Sequence, residues 1–114
     1  MILNMGVDEF VVPITSPPMV CGVVRSPHWP AVRESFLKVH PTCAACGGKI
    51  GLNVHHIKPY YLFPKLELVE SNLITLCEQY GHHLLFGHLM NWGSWNPLVV
   101  SDAAGWLKKV NNRP

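Results

Sequence analysis

The chain has 114 residues, 48% hydrophobic and 14% charged, with a formal net charge of +2. This is room for one small globular domain and excludes an intrinsically disordered chain, while the charge permits a polyanionic partner without demanding one. No run approaches the ~20 apolar residues of a membrane-spanning helix. The N-terminus has no basic segment and carries Asp8 and Glu9, so it does not read as a signal peptide. The setting expected is cytoplasmic and reducing, where cysteines bind metal more often than they pair.

Residues 1–24 are broken by Pro13, Pro17 and Pro18 and read as an N-terminal arm or tail, with a short strand near Phe10–Ile14. Residues 25–114 read as the folded domain, its core about 43–92. Pro27 and Pro30 mark a helix entrance, since proline is tolerated in a first turn. Trp29, Val32, Phe36 and Leu37 follow at helical spacing, and His40-Pro41 ends the segment, which predicts a helix over 30–39. Cys43-Ala-Ala-Cys46-Gly-Gly reads as a tight turn. Leu52–Ile57 is a strand ended by Pro59, 60–71 is loop, and Asn72–Cys77 is a second strand. Residues 82–92 predict a helix with Leu85, Leu89 and Trp92 as its core stripe. A last helix over 102–110 is capped by Ser101, with Ala103, Trp106, Leu107 and Val110 on one face and Lys108 and Lys109 at the dipole's negative end. The four tryptophans, Trp29, Trp92, Trp95 and Trp106, are expected in the core.

Cys43 and Cys46 have the C-x2-C spacing of a zinc knuckle, in which a short turn lets two thiolates face one ion. A structural zinc takes four ligands. Cys77, at the end of the second strand, is the third, and His82 or His83 the fourth, with His82 preferred. Cys21, in the arm, is a small free hydrophobe or a substitute ligand.

Six of the seven histidines fall between His40 and His88. His55 and His56 are adjacent on a predicted strand, where successive side chains point to opposite faces. Hairpin plus helix brings them together with Asn72 and His83.

VHHIKP, then NLITLC, then HHLLFGHL, preceded by C-x2-C, resembles the HNH endonuclease motif. RSPHWPAVRESFLKVHPTCAACG resembles the lead-in of small phage-type and bacterial HNH nucleases. The resemblance spans roughly Arg25 to Asn96. It implies an α+β fold, a ββα-metal (His-Me finger) core with a zinc-stapled hairpin and flanking helices. It further implies a metal-dependent hydrolysis of DNA phosphodiester bonds, by nicking or cleavage, with RNA left open as a substrate and the chain acting as monomer or homodimer.

Position by position, the resemblance places His55 and His83 on a catalytic divalent metal (Mg²⁺, Mn²⁺, Ni²⁺ or Zn²⁺). It makes His56 the general base. Asn72 steadies the loop carrying the base or touches the metal shell.

Two departures stand out. The family usually closes its zinc site with C-x2-C-H, but here Tyr80 stands where the second cysteine is common. Two extra residues in the turn put His82 in that cysteine's place and His83 in the histidine's, which makes the zinc site Cys3His. Gly87 stands one turn past His83, where some relatives have another metal-binding histidine. His88 is about 100° off that face of an α-helix and joins the site only if Gly87 distorts the helix.

Arg33, Lys49, Lys58 and Lys65 flank this region as candidate phosphate contacts. The alternative reading is a zinc-stapled module that binds nucleic acid or protein without catalysis. A redox role for the C-x2-C has no βαβ pattern to support it.

Overall fold

The computed structural model describes residues 19–20 and 23–113. The strand expected near Phe10–Ile14, most of the 1–24 arm and Cys21 lie outside these residues. In chain order come β1 (Met19–Val20), β2 (Val23–Val24), α1 (Trp29–Val39), β3 (Leu52–His56), β4 (Leu73–Cys77), a π-helical turn (His83–Gly87) and α2 (Val99–Asn111). The class is α+β, as expected.

β3 and β4 form an antiparallel pair, with Leu52 opposite Cys77 and His56 opposite Leu73. All five residues of β4 are buried, so the pair is covered on both sides. On one side Val54 and Leu73 pack against Trp29 and Phe36 of α1. Trp29 and Phe36 are seven residues apart, two helical turns, which puts both on the face that meets the hairpin. On the other side Ile74 and Leu76 pack with Val99 and Ala103 of α2 and with the knuckle's Cys43 and Ala45. The knuckle is fastened to β4 by Ala44 N–H donating to the Thr75 carbonyl at 2.8 Å. Its return turn passes through Gly47 at φ +74°, where a side chain is disfavoured.

Several local expectations need correcting. Asn72 lies not on the second strand but at the end of a 3₁₀ turn, Glu70–Asn72, and a second such turn, Pro64–Leu66, sits in the segment read as loop. The helix expected over 82–92 is a single π turn, and its intended core stripe is exposed, with Leu85, Leu89 and Trp92 at 40%, 53% and 57%. The chain leaves that turn through two consecutive non-glycine residues at positive φ, Leu89 (54°) and Met90 (68°), which no helical register continues. Trp106, too, is on the surface rather than in the core.

The last helix starts at Val99, three residues early, and Ser101 lies inside it, its hydroxyl donating to the Leu98 carbonyl. The entrance is shaped by buried Asn96 instead. Its Oδ1 accepts from Leu98 N–H at 2.9 Å, and its Nδ2 donates to Asp102 at 2.8 Å and to the Phe86 carbonyl at 2.9 Å. Asn96 N–H also donates to the Gly87 carbonyl. One buried amide thus joins the end of the π turn to the start of α2.

Candidate metal centres

Among the described residues, two groups of side chains that could hold a metal ion gather at the hairpin. The first holds Cys43, Cys46, Cys77 and His82, whose ligand atoms all lie within 4.8 Å of one another. Cys77 Sγ is 3.3 Å and Cys43 Sγ 3.7 Å from His82 Nδ1, and the Cys46 and Cys77 sulfurs are 3.9 Å apart. Sulfurs about 2.3 Å from one ion stand roughly 3.8 Å apart in a tetrahedron, so the spacing fits a small tetrahedral cation.

Ala45 N–H points at Cys43 Sγ and Gly48 N–H at Cys46 Sγ, each at 3.4 Å. Both favour thiolates. Burial, with the sulfurs of Cys43 and Cys77 close by, still pushes the Cys46 thiol up to about 11, and a bound cation is what would deprotonate it. Burial likewise lowers His82, keeping its imidazole neutral and free to donate a lone pair. Four mostly buried donors leave no open position, the mark of a structural metal site.

The second group holds His55, His83 and His88. His55, on β3, faces the π turn. His83 Nε2 is 3.2 Å from His55 Nδ1 and 3.2 Å from His88 Nε2. His88 enters because the helical turn is π rather than α: bonding i to i+5 aligns side chains five apart. Gly87 supplies the space. A Cβ there would stand 2.9 Å from His55 Cε1 and Nδ1, closer than carbon atoms pack, so the turn presses its backbone onto the His55 ring.

The outer nitrogens of two of these rings are engaged. His83 Nδ1 is 2.9 Å from Glu78 Oε2 and His88 Nδ1 is 2.8 Å from the Ser94 carbonyl. Carbonyl and carboxylate oxygens only accept, so both Nδ1 atoms carry a proton, and in the neutral ring each Nε2 then presents a lone pair. Two bare nitrogens 3.2 Å apart repel unless a cation lies between them. Nitrogens about 2.1 Å from one ion stand roughly 3.4 Å apart in a tetrahedron. The donor set therefore fits a divalent metal held by three histidines, of which His55 is buried and His83 and His88 are partly buried.

Burial, reinforced by His83, His88 and His56, lowers His55 well below the ordinary histidine range. Its Nε2 is buried with no hydrogen-bond partner among the described residues. Burial also lowers His88, against the Ser94 carbonyl. Burial alone would raise the Glu78 carboxyl, yet the hydrogen bonds from His83 and Asn53 bring it below its ordinary value. Asn53 Nδ2 donates to Glu78 at 2.9 Å, and Asn53 Oδ1 accepts from Arg33 at 3.2 Å. A chain of contacts thus runs from α1 to His83.

His56 points to the other face. Its Nε2 is 2.8 Å from the Glu67 carbonyl, so Nε2 carries the proton and Nδ1 the lone pair. The ring lies 4.4 Å from Trp29 and 5.7 Å from Tyr60, centroid to centroid. Burial and the nearby Arg25 cation lower it to about 3. Arg25 is itself sandwiched between Trp29 and Tyr60 and paired with buried Glu67 at 3.0 Å. Asn72 is buried. Its Oδ1 accepts from Lys58 N–H at 2.9 Å, and its Nδ2 donates to the carbonyls of Lys58 (3.0 Å) and Leu66 (3.2 Å). Its side chain holds the segment after His56 and touches neither metal group.

Of the basic candidates, Arg33 is engaged with Asn53, and Lys58 lies over the Phe63 ring at 5.4 Å. Lys49 and Lys65 are exposed. Glu78, Asn53, Ser94 and Asn96 were not foreseen. Each acts on backbone or through a partner distant in sequence, which no spacing reveals.

Residues 43–79 match the family model for HNH endonuclease. No curated protein and no solved structure matches the chain. The matched span holds the knuckle, both strands and Asn72. With the π turn that completes the histidine cluster, these elements make an α+β arrangement consistent with the ββα-metal fold of that family.

Proposed function

We propose that the protein is a metal-dependent endonuclease acting on DNA, with His56 as general base and His55, His83 and His88 holding the catalytic metal, while zinc on Cys43, Cys46, Cys77 and His82 is structural. The observation that carries this reading is the division of labour at the end of β3. One histidine offers its lone pair to a three-histidine cluster, and the next, on the opposite face, is held with a free Nδ1.

The bound divalent ion would stabilise the charge that builds on the phosphate and on its leaving oxygen. The rest falls to the chain. His56 Nδ1 takes a proton from water as the water attacks phosphorus, and the Nε2–H bond to Glu67 fixes both the tautomer and the ring's direction. With its pKa lowered to about 3, His56 is unprotonated throughout the neutral range and has its lone pair available, while the low value itself makes it a weak base until the charge of a bound phosphate raises it. Asn72 keeps the segment from Lys58 to Leu66 in place. Glu78 and the Ser94 carbonyl hold the proton on the outer nitrogens of His83 and His88, which keeps their inner nitrogens bare.

The test is supercoiled-plasmid nicking by purified protein and by His56→Ala. The variant should lose about 10²–10⁴-fold in rate, while keeping its zinc and its circular-dichroism spectrum. Undiminished nicking by the variant removes His56 as base. A folded, zinc-loaded parent protein that fails to nick with every divalent metal tried supports the binding-module reading instead.

A further inference from the structure

Trp92 is the most exposed of the four tryptophans, at 57%. It is nonetheless fixed. Its ring lies 5.1 Å from His83 and 4.9 Å from His88, centroid to centroid. Its loop is braced on both sides. Asn91 N–H donates to the His88 carbonyl at 3.0 Å, Gly93 N–H to Asn91 Oδ1 at 2.9 Å, and Ser94 N–H to the Asn91 carbonyl at 2.8 Å. The Ser94 carbonyl in turn binds His88.

The residues leading into this loop, Leu89 and Met90, adopt left-handed backbone conformations that cost non-glycine residues roughly 1–2 kcal/mol each. That strain gives no packing in return, since both side chains are exposed. It does carry the chain sharply back, so that Trp92 stands at the rim of the histidine cluster. Retained strain beside a cluster of metal-ligating groups points to function rather than to stability.

On the nuclease reading above, we infer that Trp92 stacks on a nucleobase adjoining the phosphate held at the His55–His83–His88 cluster, and so selects an unpaired or unstacked strand. An aromatic face open to solvent matches the one feature every base shares, its π surface. A phosphodiester held at the cluster brings a base on either side of it. A second, basic and aromatic group supports the same occupant: Lys58 lies over Phe63, and Phe63 lies 6.0 Å from Trp95, in the loop that carries Trp92. Aromatic rings interleaved with cations are what a groove tracking a single strand needs, one for bases and one for phosphates.

The experiment compares binding of two labelled strands of equal length, a deoxythymidine oligonucleotide and an abasic deoxyribose-phosphate polymer. Each is measured by anisotropy with zinc- and nickel-loaded protein in a His56→Ala background. Trp92→Ala should weaken binding of the oligonucleotide about tenfold or more, and Trp92→Phe should recover most of it. Neither substitution should alter binding of the abasic polymer, or the nickel affinity measured by calorimetry.

Equal losses on both strands, or no loss on either, overturn the stacking role. A fall in nickel affinity that accounts for the whole loss makes Trp92 a wall of the metal cluster. A shift of oligomeric state on Trp92→Ala makes the patch an interface between copies of the chain. A parent protein that neither binds nor cleaves nucleic acid overturns the nuclease reading itself. One that cleaves normally but ignores Trp92→Ala removes only this inference.

Discussion

Proton placement on single residues decides what the histidine cluster can do. His83 is set by Glu78, which is set by Asn53, which is held by Arg33. A carboxylate hydrogen-bonded to the far nitrogen of a ligating histidine fixes the tautomer and strengthens the ligand, and losing such a partner costs about 10–100-fold in metal affinity. Glu78→Gln keeps the shape and a hydrogen-bonding group but removes the charge. It should weaken nickel or manganese binding at the histidine cluster by about tenfold while leaving one zinc per chain. Calorimetric titration checks this, and unchanged affinity would mean that Glu78 only decorates His83. These positioning residues were illegible beforehand for a simple reason. Cys43, Cys46 and Cys77 announce themselves by type and spacing, whereas an asparagine or glutamate acting through its neighbour looks like any surface polar residue.

The element that departs most from sequence expectation is the π turn. Read as an α-helix, 82–92 puts His88 off the His83 face and gives Leu85, Leu89 and Trp92 a core to fill. Read as a π turn over His83–Gly87, the same residues bring His88 into contact with His83 and leave the apolar ones outside. Periodicity cannot distinguish these, because a π turn is one inserted residue in a helical pattern. The available clue was Gly87, since only glycine lets this backbone press on the His55 ring.

Gly87→Ala should therefore displace His55, weaken metal binding at the cluster and destabilise the fold by about 1–3 kcal/mol, the usual cost of overpacking. Thermal unfolding and nickel titration check it, and wild-type nickel affinity would show that the turn has slack. The hairpin and α1 were more legible. Their boundaries are set by local chemistry: Pro30 in a first turn, His40 before Pro41, and Pro59 soon after β3.

At the scale of the whole molecule, the described residues make a small domain, two short helices about a two-stranded hairpin, and a core this small leaves stability to be supplied by its candidate metal sites and by buried histidines staying neutral. His56 has an ordinary pKa near 6.5 when unfolded and about 3 when folded. Between these values the unfolded chain binds the extra proton, so the contribution of His56 is whole above about pH 6.5 and is lost as pH falls toward 3. Taking 1.36 kcal/mol per pH unit, this one residue should remove on the order of 2 kcal/mol between pH 6.5 and pH 5. Urea unfolding across that range should show a shallower loss in His56→Phe, which keeps the stacking on Trp29 but cannot titrate. Parallel slopes in the two proteins would assign the acid sensitivity elsewhere.

The most direct measurement treats the two metal centres as different in kind. Dialysis against a moderate chelator should remove the ion at the partly exposed three-ligand histidine cluster and leave one zinc per chain at the four-ligand Cys3His site. Nicking of supercoiled DNA should then vanish, with the fold retained, and return on adding Mg²⁺, Mn²⁺ or Ni²⁺. Nicking that persists in the stripped protein, or that no divalent ion restores while the zinc and the fold remain, would contradict a catalytic metal held by His55, His83 and His88.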